Sequence, residues 1–296
     1  MREDVTPATY QKRQDLLTFV ERALKPDPAV QVVIGIGSLA MGLARPDSDI
    51  DAVVFLDPFD WYVVPAEFTW RPADGTFHSI FSQEAWVESE GVQFDLARFD
   101  LARWSDPAYT WPEGFRAELA EGWVAFDRAG RVTALIAERT AYPEGVRMAR
   151  LDEAITALDQ HLGQTEPPVR WASLGPAIAH DRLQAAYHYL VQALFAYNRR
   201  WRPWRNREMS SLLRLPWLPE EFAGRILTAL NAPSLDYAGY LARFETIQAL
   251  CNDLQARLIA DGDYEADIIG QAFTRSHEEP GRAWNMEVWN RKHRER

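Results

Sequence analysis

Cysteine, long apolar runs and lysine are all scarce in this sequence of 296 residues. Its one cysteine, Cys251, excludes an intramolecular disulfide and leaves no thiolate cluster for zinc. No run approaches the roughly 18 consecutive apolar residues that a membrane helix needs. The first residues, MREDVTPATY, lack the apolar core of a signal peptide. We therefore expect a cytoplasmic protein.

Positive charge is also in short supply. The formal net charge is −11, and the lysines are Lys12, Lys25 and Lys292. Because contacts along a nucleic acid require a basic surface, this balance argues against a nucleic-acid partner. Hydrophobic residues make up 47% and charged residues 25% of the chain, which is typical of a globular protein and not of a disordered one.

The hydrophobic pattern divides the chain into two parts. Short β-like runs with glycine turns dominate up to about residue 142, and apolar residues repeat at helical intervals of three and four afterwards. We predict an α+β protein. An α/β domain with a small mixed sheet spans residues 1–142, and an all-α helical bundle domain spans residues 143–296.

Six elements are predicted before residue 142. They are a helix over 7–25, buried strands over 30–36 and 50–56, an irregular insertion over 57–78, a hairpin joining 85–88 to 92–99, and a short strand over 123–127. The insertion is rich in proline and aromatic residues, and we expect it to lie beside the functional site.

A glycine turn follows the first predicted strand. Gly37 and Ser38 precede a short predicted helix, so free backbone N–H groups and the Ser38 hydroxyl would face an anion. A plain tight turn that requires a positive φ explains Gly37 equally well. Two other glycine motifs do not apply. The P-loop pattern fails because Leu43 and Ala44 replace its lysine and hydroxyl residue, and the strict dinucleotide fingerprint fails at Ala40.

Two aspartates, Asp49 and Asp51, flank Ile50 at the start of the second strand. Side chains at i and i+2 of a strand face the same side, and two carboxylates there repel each other unless a cation lies between them. Mg²⁺ is the natural candidate because it prefers oxygen ligands. Turn formation explains Asp47 and Ser48. It explains Asp51 poorly, because that residue lies in an otherwise buried run.

A third carboxylate, Asp95, lies between Phe94 and Leu96 on a predicted strand. Three carboxylates can hold two metal ions about 3.5–4 Å apart, which stabilise a displacement at phosphorus. Asp95 would ligate the catalytic metal, accept the proton of an attacking hydroxyl, or do both. The alternative is an exposed residue at the edge of a hairpin, and Asp100 is then the next candidate.

These features resemble the signature of the DNA polymerase β-like nucleotidyltransferase superfamily. The signature consists of the glycine-serine turn, the paired aspartates after ten intervening residues, and the apolar run that follows them. The downstream carboxylate fits the third acidic position of that superfamily. The resemblance covers about residues 30–100. A helical part after such a domain looks like the layout of small-molecule (aminoglycoside or lincosamide) nucleotidyltransferases.

The resemblance implies an enzyme of the 2.7.7 type. Such an enzyme uses Mg²⁺ to transfer a nucleoside monophosphate, which we expect to be AMP from ATP, to a hydroxyl of a small molecule and releases pyrophosphate. The implied phosphate contacts are Gly37 and Ser38, and the implied catalytic and metal-binding residues are Asp49, Asp51 and Asp95. Two alternatives stay open: a protein-modifying, antitoxin-like adenylyltransferase, and a nucleotide-binding module without turnover. The sequence does not identify the acceptor.

An arginine-rich segment lies in the helical part. Residues 197–214 carry six arginines and one acidic residue, which predicts a local anion site in an acidic chain. Helical domains in this layout often offer a lysine to the triphosphate. Here Arg205 or Arg207 would take that role, and Trp201 and Trp204 would stack on a base or on the acceptor. The alternative is a solvated basic loop with tryptophans packed under it.

Overall fold

The computed structural model describes residues 5–85, 87, 90–163, 165–231, 234–276 and 294. The chain forms two compact units that divide between Ala141 and Tyr142. The first contains a mixed sheet with helices, and the described residues of the second are helical apart from turns and loops. The predicted α+β class is therefore confirmed. The predicted assignment of residues 1–142 to a nucleotidyltransferase domain and of residues 143–296 to a helical domain that binds substrate or nucleotide stays a prediction.

The N-terminal unit is built on a six-stranded sheet. Its strands are β1 (Val30–Gly35), β2 (Ile50–Leu56), β3 (Glu67–Trp70), β4 (Phe77–His78), β5 (Val92–Asp100) and β6 (Trp123–Asp127). Their order across the sheet is β4-β3-β5-β2-β1-β6. The pair β2–β5 is parallel and the other described pairs are antiparallel, so the sheet is mixed.

Helices of the N-terminal unit precede, connect and follow these strands. They are α1 (Pro7–Phe19), continued by a π-helical turn (Val20–Leu24), α2 (Gly37–Met41), α3 (Leu101–Ser105), α4 (Glu113–Ala120) and α5 (Arg131–Thr140). Helix α1 begins after Thr6, whose side chain accepts a hydrogen bond from the N–H of Thr9. This cap satisfies one of the free N–H groups of the first turn.

Each face of the sheet packs against its own apolar cluster. On one face, Ala52 and Val54 of β2 pack in a cluster with Phe19 of α1. On the other face, Val53 and Phe55 pack with residues of α3, α4 and α5. Because side chains alternate along a strand, Asp51 shares the second face with Val53 and Phe55.

Two predictions for the N-terminal unit are wrong. The predicted irregular insertion over 57–78 contains β3 and β4. The predicted hairpin between 85–88 and 92–99 is not formed, because β5 pairs antiparallel with β3. Ala85 and Val87 are helical, and residues 86, 88 and 89 lie outside the described residues. Strand β3 has four residues, and three of them are buried. A strand this short, between prolines, shows too little alternation of apolar and polar residues to be recognised in the sequence.

The C-terminal unit is a bundle of helices in its described residues. They are α6 (Glu144–Leu158), continued by a π-helical turn (Asp159–Gly163), α7 (Pro167–Tyr197), α8 (Arg205–Leu212), α9 (Phe222–Leu230), α10 (Tyr237–Ala260) and α11 (Ile268–Ser276). Helix α7 is kinked at Gly175 (φ 74°, ψ 165°), next to Pro176, which has no N–H to donate. No helix in the described ranges is long and apolar enough to cross a membrane.

An ion pair joins α6 to the turn after α10. The Arg147 side chain is 2% exposed and donates hydrogen bonds to both carboxylate oxygens of Asp263. It also donates to Glu144 Oε1 at 2.6 Å.

Asp263→Ala leaves a buried guanidinium with Glu144 as its remaining acidic partner. We expect the free energy of unfolding to fall by about 3 kcal/mol, measured by urea denaturation.

The matched control for this substitution is Asp253→Ala. Asp253 pairs with Arg225 at 2.6 Å, but its side chain is 45% exposed. An exposed pair is worth at most about 1 kcal/mol, so the control is expected to lose far less stability. Equal losses in the two variants would show that burial of Arg147 does not determine the cost.

Candidate active site

Asp51 and Asp95 lie opposite each other on the parallel strands β2 and β5. The register pairs Ile50 with Phe94 and Asp51 with Asp95. Neighbouring strands are about 4.8 Å apart, and residues paired in this way leave the sheet on the same face. The structure therefore places two of the three predicted carboxylates side by side, near the start of both strands.

A further carboxylate extends this row. Strand β3 pairs antiparallel with β5 and sets Glu67 opposite Asp95. Asp49 comes directly before β2 and is half-buried. Burial raises the pKa of Asp95, and the carboxylates of Glu67 and Asp49 raise it further. Because neighbouring carboxylates repel each other, a cation among them would be stabilising.

Glu67 is the site residue that sequence reasoning missed. It lies in the predicted irregular insertion, which does pass beside Asp95, but as the strand β3. The signal is weak: Glu67 is exposed and the three residues after it are buried. Glu67 enters the row only through pairing with β5, which residue spacing does not reveal.

The carboxylate side chains do not converge on one point. Within the described ranges, no group of three or more His, Cys, Asp or Glu side chains is arranged to hold a metal ion. Asp95 and Glu67 are exposed, so other rotamers are open to them. Carboxylate oxygens are the donors that Mg²⁺ prefers, so the residues fit the ion in kind. The metal roles of Asp49, Asp51 and Asp95 stay predictions.

The glycine turn lies at the same end of the sheet as the carboxylates. The N–H of Ile36 donates to the carbonyl oxygen of Asp51 at 3.0 Å, which holds the turn against the start of β2. Gly37 has a φ of 59°, a conformation that favours glycine. It begins the short helix α2, which ends before Gly42, where φ is 79°.

The N–H of Gly37 is already engaged. It donates to Oε2 of Glu118 at 3.1 Å, and Glu118 is 8% exposed. A carboxylate at the N-terminus of a helix is favourable, but this one occupies an amide that the sequence assigns to a phosphate. The N–H groups of Ser38 and Leu39 and the Ser38 hydroxyl form no hydrogen bond with any described residue. They are the donors still open to an anion in this turn.

Asp100, the other acidic candidate on β5, caps a helix. Its side chain accepts hydrogen bonds from the N–H groups of Ala102 and Arg103 at the start of α3. Those bonds account for its position at the end of the strand, and they leave Asp95 as the carboxylate of β5 that stands in the acidic row.

Arg205 and Arg207 lie on α8 in the C-terminal unit. Arg205 Nη1 donates to Glu208 Oε1 at 2.7 Å and lies 3.3 Å from Nδ1 of His188. Arg202 also pairs with Glu208, which is buried. The phosphate role predicted for Arg205 and Arg207 stays a prediction.

The two tryptophans of this segment differ in exposure. Trp201 is 8% exposed and packs on Tyr142, with ring centroids 4.5 Å apart, whereas Trp204 is 46% exposed. Trp201 is therefore a packing residue of the C-terminal unit, and Trp204 is the ring with a face open to solvent.

Comparison with known families agrees with this geometry. Residues 15–99 match the family model described as a nucleotidyltransferase domain. This stretch of the chain is thus similar to a nucleotidyltransferase domain. The matched range includes the glycine turn and all four carboxylates, Asp49, Asp51, Glu67 and Asp95.

Among solved structures, the chain is similar to a nucleotidyltransferase-like protein from Exiguobacterium sibiricum 255-15. The two share 14% sequence identity, and the alignment covers 94% of this chain and 83% of that chain with a TM-score of 0.40. No curated protein matches the chain.

The bond between Glu118 and Gly37 leads to a test of the turn. Glu118→Ala removes the acceptor of a buried N–H, so we expect a loss of about 1.5–3 kcal/mol in the free energy of unfolding. Glu118→Gln retains an acceptor oxygen and is expected to lose about half as much, because the bond is then no longer charge-assisted. Urea denaturation of both variants measures the difference. Equal losses would mean that the carboxylate does not hold the turn through this bond.

Proposed function

We propose that the chain transfers a nucleoside monophosphate, AMP from ATP, to a hydroxyl group of a small molecule and releases pyrophosphate. The observation that carries the proposal is the row of carboxylates on three neighbouring strands: Asp51 on β2, Asp95 on β5 and Glu67 on β3. The glycine turn lies at the same end of the sheet. The nucleotidyltransferase family of this domain supports the reaction class.

The acidic row is suited to divalent cations and the turn to phosphate. Asp49, Asp51 and Asp95 would hold Mg²⁺, which would neutralise the triphosphate and stabilise the negative charge on the leaving pyrophosphate. The open donors of the turn, the N–H groups of Ser38 and Leu39 and the Ser38 hydroxyl, would bind oxygens of the triphosphate.

Proton transfer in this reaction requires a base near the attacking hydroxyl. The hydroxyl oxygen forms a bond to the α-phosphorus, the bond from that phosphorus to the bridging oxygen of pyrophosphate breaks, and the hydroxyl proton leaves with a base. Asp95 is predicted to accept that proton, to ligate the catalytic metal, or to do both. Glu67 lies opposite it on β3, exposed to solvent, and is a second carboxylate within one strand spacing that can take or relay the proton.

The central test of the proposal is Asp51→Asn. A neutral amide holds a cation more weakly than a carboxylate, and bound cations contribute several kcal/mol to the transition state. We expect the rate of pyrophosphate release to fall at least about 100-fold. The protein is incubated with each of the four nucleoside triphosphates, Mg²⁺ and a panel of hydroxyl-bearing small molecules, and pyrophosphate is followed.

The matched control is Asp47→Asn. Asp47 lies in the same loop, is exposed, and pairs with Arg45 at the surface. This variant is expected to release pyrophosphate at the wild-type rate. A correctly folded Asp51→Asn protein that releases pyrophosphate at the wild-type rate would contradict the proposal.

Two further outcomes favour the alternative functions. If the wild-type protein binds ATP with Mg²⁺ but forms no product with any acceptor, a nucleotide-binding module is favoured. If a co-purifying protein gains the mass of a nucleotide, a protein-modifying enzyme is favoured.

A further inference from the structure

The C-terminal unit holds arginines that form no ion pair with any described acidic residue. No ion pair joins Arg170, Arg182 or Arg243 to an Asp or Glu among the described residues. Two of them are buried, since Arg170 is 3% exposed and Arg243 is 6% exposed. Buried charges in proteins are paired or bind a ligand. The missing counter-charge therefore has to come from elsewhere.

Helices α7 and α10 bring these arginines together. Arg243 Nη1 lies 3.3 Å from Nδ1 of His180, and the His180 ring packs edge-on against Tyr240 with centroids 5.9 Å apart. Burial raises the pKa of Tyr240, whereas the charge of Arg170, its hydrogen bond to Tyr240 and the charge of Arg182 oppose that rise. We call Arg170, Arg182, Arg243, His180 and Tyr240 the arginine cluster.

The hydrogen bonds that Arg243 does make are all to neutral groups. Its Nε donates to the carbonyl oxygen of Ala229 at 2.8 Å, and its Nη2 donates to Gln184 Oε1 at 3.3 Å. These bonds fix the direction of the guanidinium without neutralising it. Burial lowers the pKa of Arg243, as expected for a cation that has no carboxylate beside it.

Three buried side-chain atoms of the cluster form no hydrogen bond of good geometry with a described residue, although Arg170 neighbours the Tyr240 hydroxyl and the His180 ring neighbours the backbone of Leu235. They are Arg170 Nη1, His180 Nε2 and the Tyr240 hydroxyl oxygen. An arginine N–H can only donate, so His180 Nδ1 is the acceptor of the Arg243 bond and Nε2 carries the ring proton. The three unsatisfied groups are therefore all able to donate. Donors without a well-placed acceptor, beside guanidinium groups that form no ion pair with a described residue, favour the binding of an oxyanion.

Acidic side chains in this region serve other purposes. Asp236 accepts hydrogen bonds from Ser234 and from the N–H of Gly239, as the N-cap of α10. Asp181 is exposed on α7. Neither forms an ion pair with the arginines of the cluster among the described residues.

Aromatic rings border the cluster near the surface. Trp171 packs on Tyr240 and on Tyr237, with centroids 5.3 Å and 5.7 Å apart. Trp171, Tyr237 and His180 are half-buried, so each of these rings is in part exposed to solvent. A small ligand would have to pass these rings to reach Arg170 and Arg243.

We propose that the arginine cluster is a binding site for the phosphate or carboxylate group of a small anionic ligand. The guanidinium groups of Arg170 and Arg243 bind the oxyanion, and the Tyr240 hydroxyl and His180 Nε2–H complete its hydrogen bonds. The site belongs to the C-terminal unit alone and does not depend on nucleotidyl transfer.

Calorimetric titration of the full chain tests the proposal. The probes are inorganic phosphate, phenyl phosphate and benzoate, at constant ionic strength against a chloride reference. At least one probe is expected to bind the wild-type protein. Phosphate and phenyl phosphate without benzoate indicate a phosphate ligand, and benzoate alone indicates a carboxylate ligand. Binding of none of the three overturns the proposal.

Two variants and a control assign the bound anion to the cluster. Arg170→Gln and Arg243→Gln are each expected to weaken binding at least tenfold, because each removes a charge-assisted bond. Arg214→Gln, at an exposed arginine of the same unit, is expected to bind as the wild type does. Folded cluster variants that bind the probe with wild-type affinity overturn the proposal.

Hydrogen–deuterium exchange locates the anion without any substitution, and so remains decisive if the variants do not fold. The bound probe is expected to slow exchange in segments 167–184 and 237–244 of the wild-type protein. Protection confined to the N-terminal unit, around residues 37–51, would assign the anion to the glycine turn and overturn the proposal.

Discussion

The register of the parallel pair β2–β5 is the constraint on which the acidic row depends. It sets Asp51 beside Asp95, and it also sets Ala52 beside Leu96 on the opposite face. A slip of one residue would turn Asp95 towards the cluster that contains Phe19. Burying a carboxylate among those rings costs several kcal/mol, so the packing of the core also holds the row in place.

The sheet also explains why the carboxylates are accessible. Strand β2 is covered on both faces along most of its length, as is typical of a strand with a parallel partner. On the face of α3–α5, Val53 and Phe55 are fully buried, whereas Asp51 is half-buried and Asp95 is exposed. The helices thus cover the later part of these strands and leave their first residues open. A polar row is stable there because its charges keep contact with water.

Residues whose position in the fold depends on local pattern could be predicted from the sequence, whereas their chemical roles stay predictions. The spacing from the glycine turn to Asp49 and Asp51, and the apolar context of Asp95, are local features that also predict the strands. Glu67 and Glu118 depend on non-local contacts: a strand pairing brings the first to Asp95, and a hydrogen bond across 81 residues joins the second to Gly37. Residue spacing carries no record of such pairings.

The arginine cluster could not be predicted for a related reason, because an unpaired charge is recognised only once the partners of the other charges are known. Elsewhere in the C-terminal unit, buried charges are matched: Arg147 pairs with Asp263, and Asp152 accepts hydrogen bonds from Arg275 and Tyr264. Against that background stand Arg170 and Arg243, which are buried and form no ion pair with a described acidic residue.

The acidic row of the N-terminal unit has the opposite charge. There, burial and the neighbouring carboxylates of Glu67 and Asp49 raise the pKa of Asp95. Where charges of one sign lie together, a bound ligand of the opposite sign would offset their mutual repulsion. By this argument the acidic row is suited to cations and the arginine cluster to an anion.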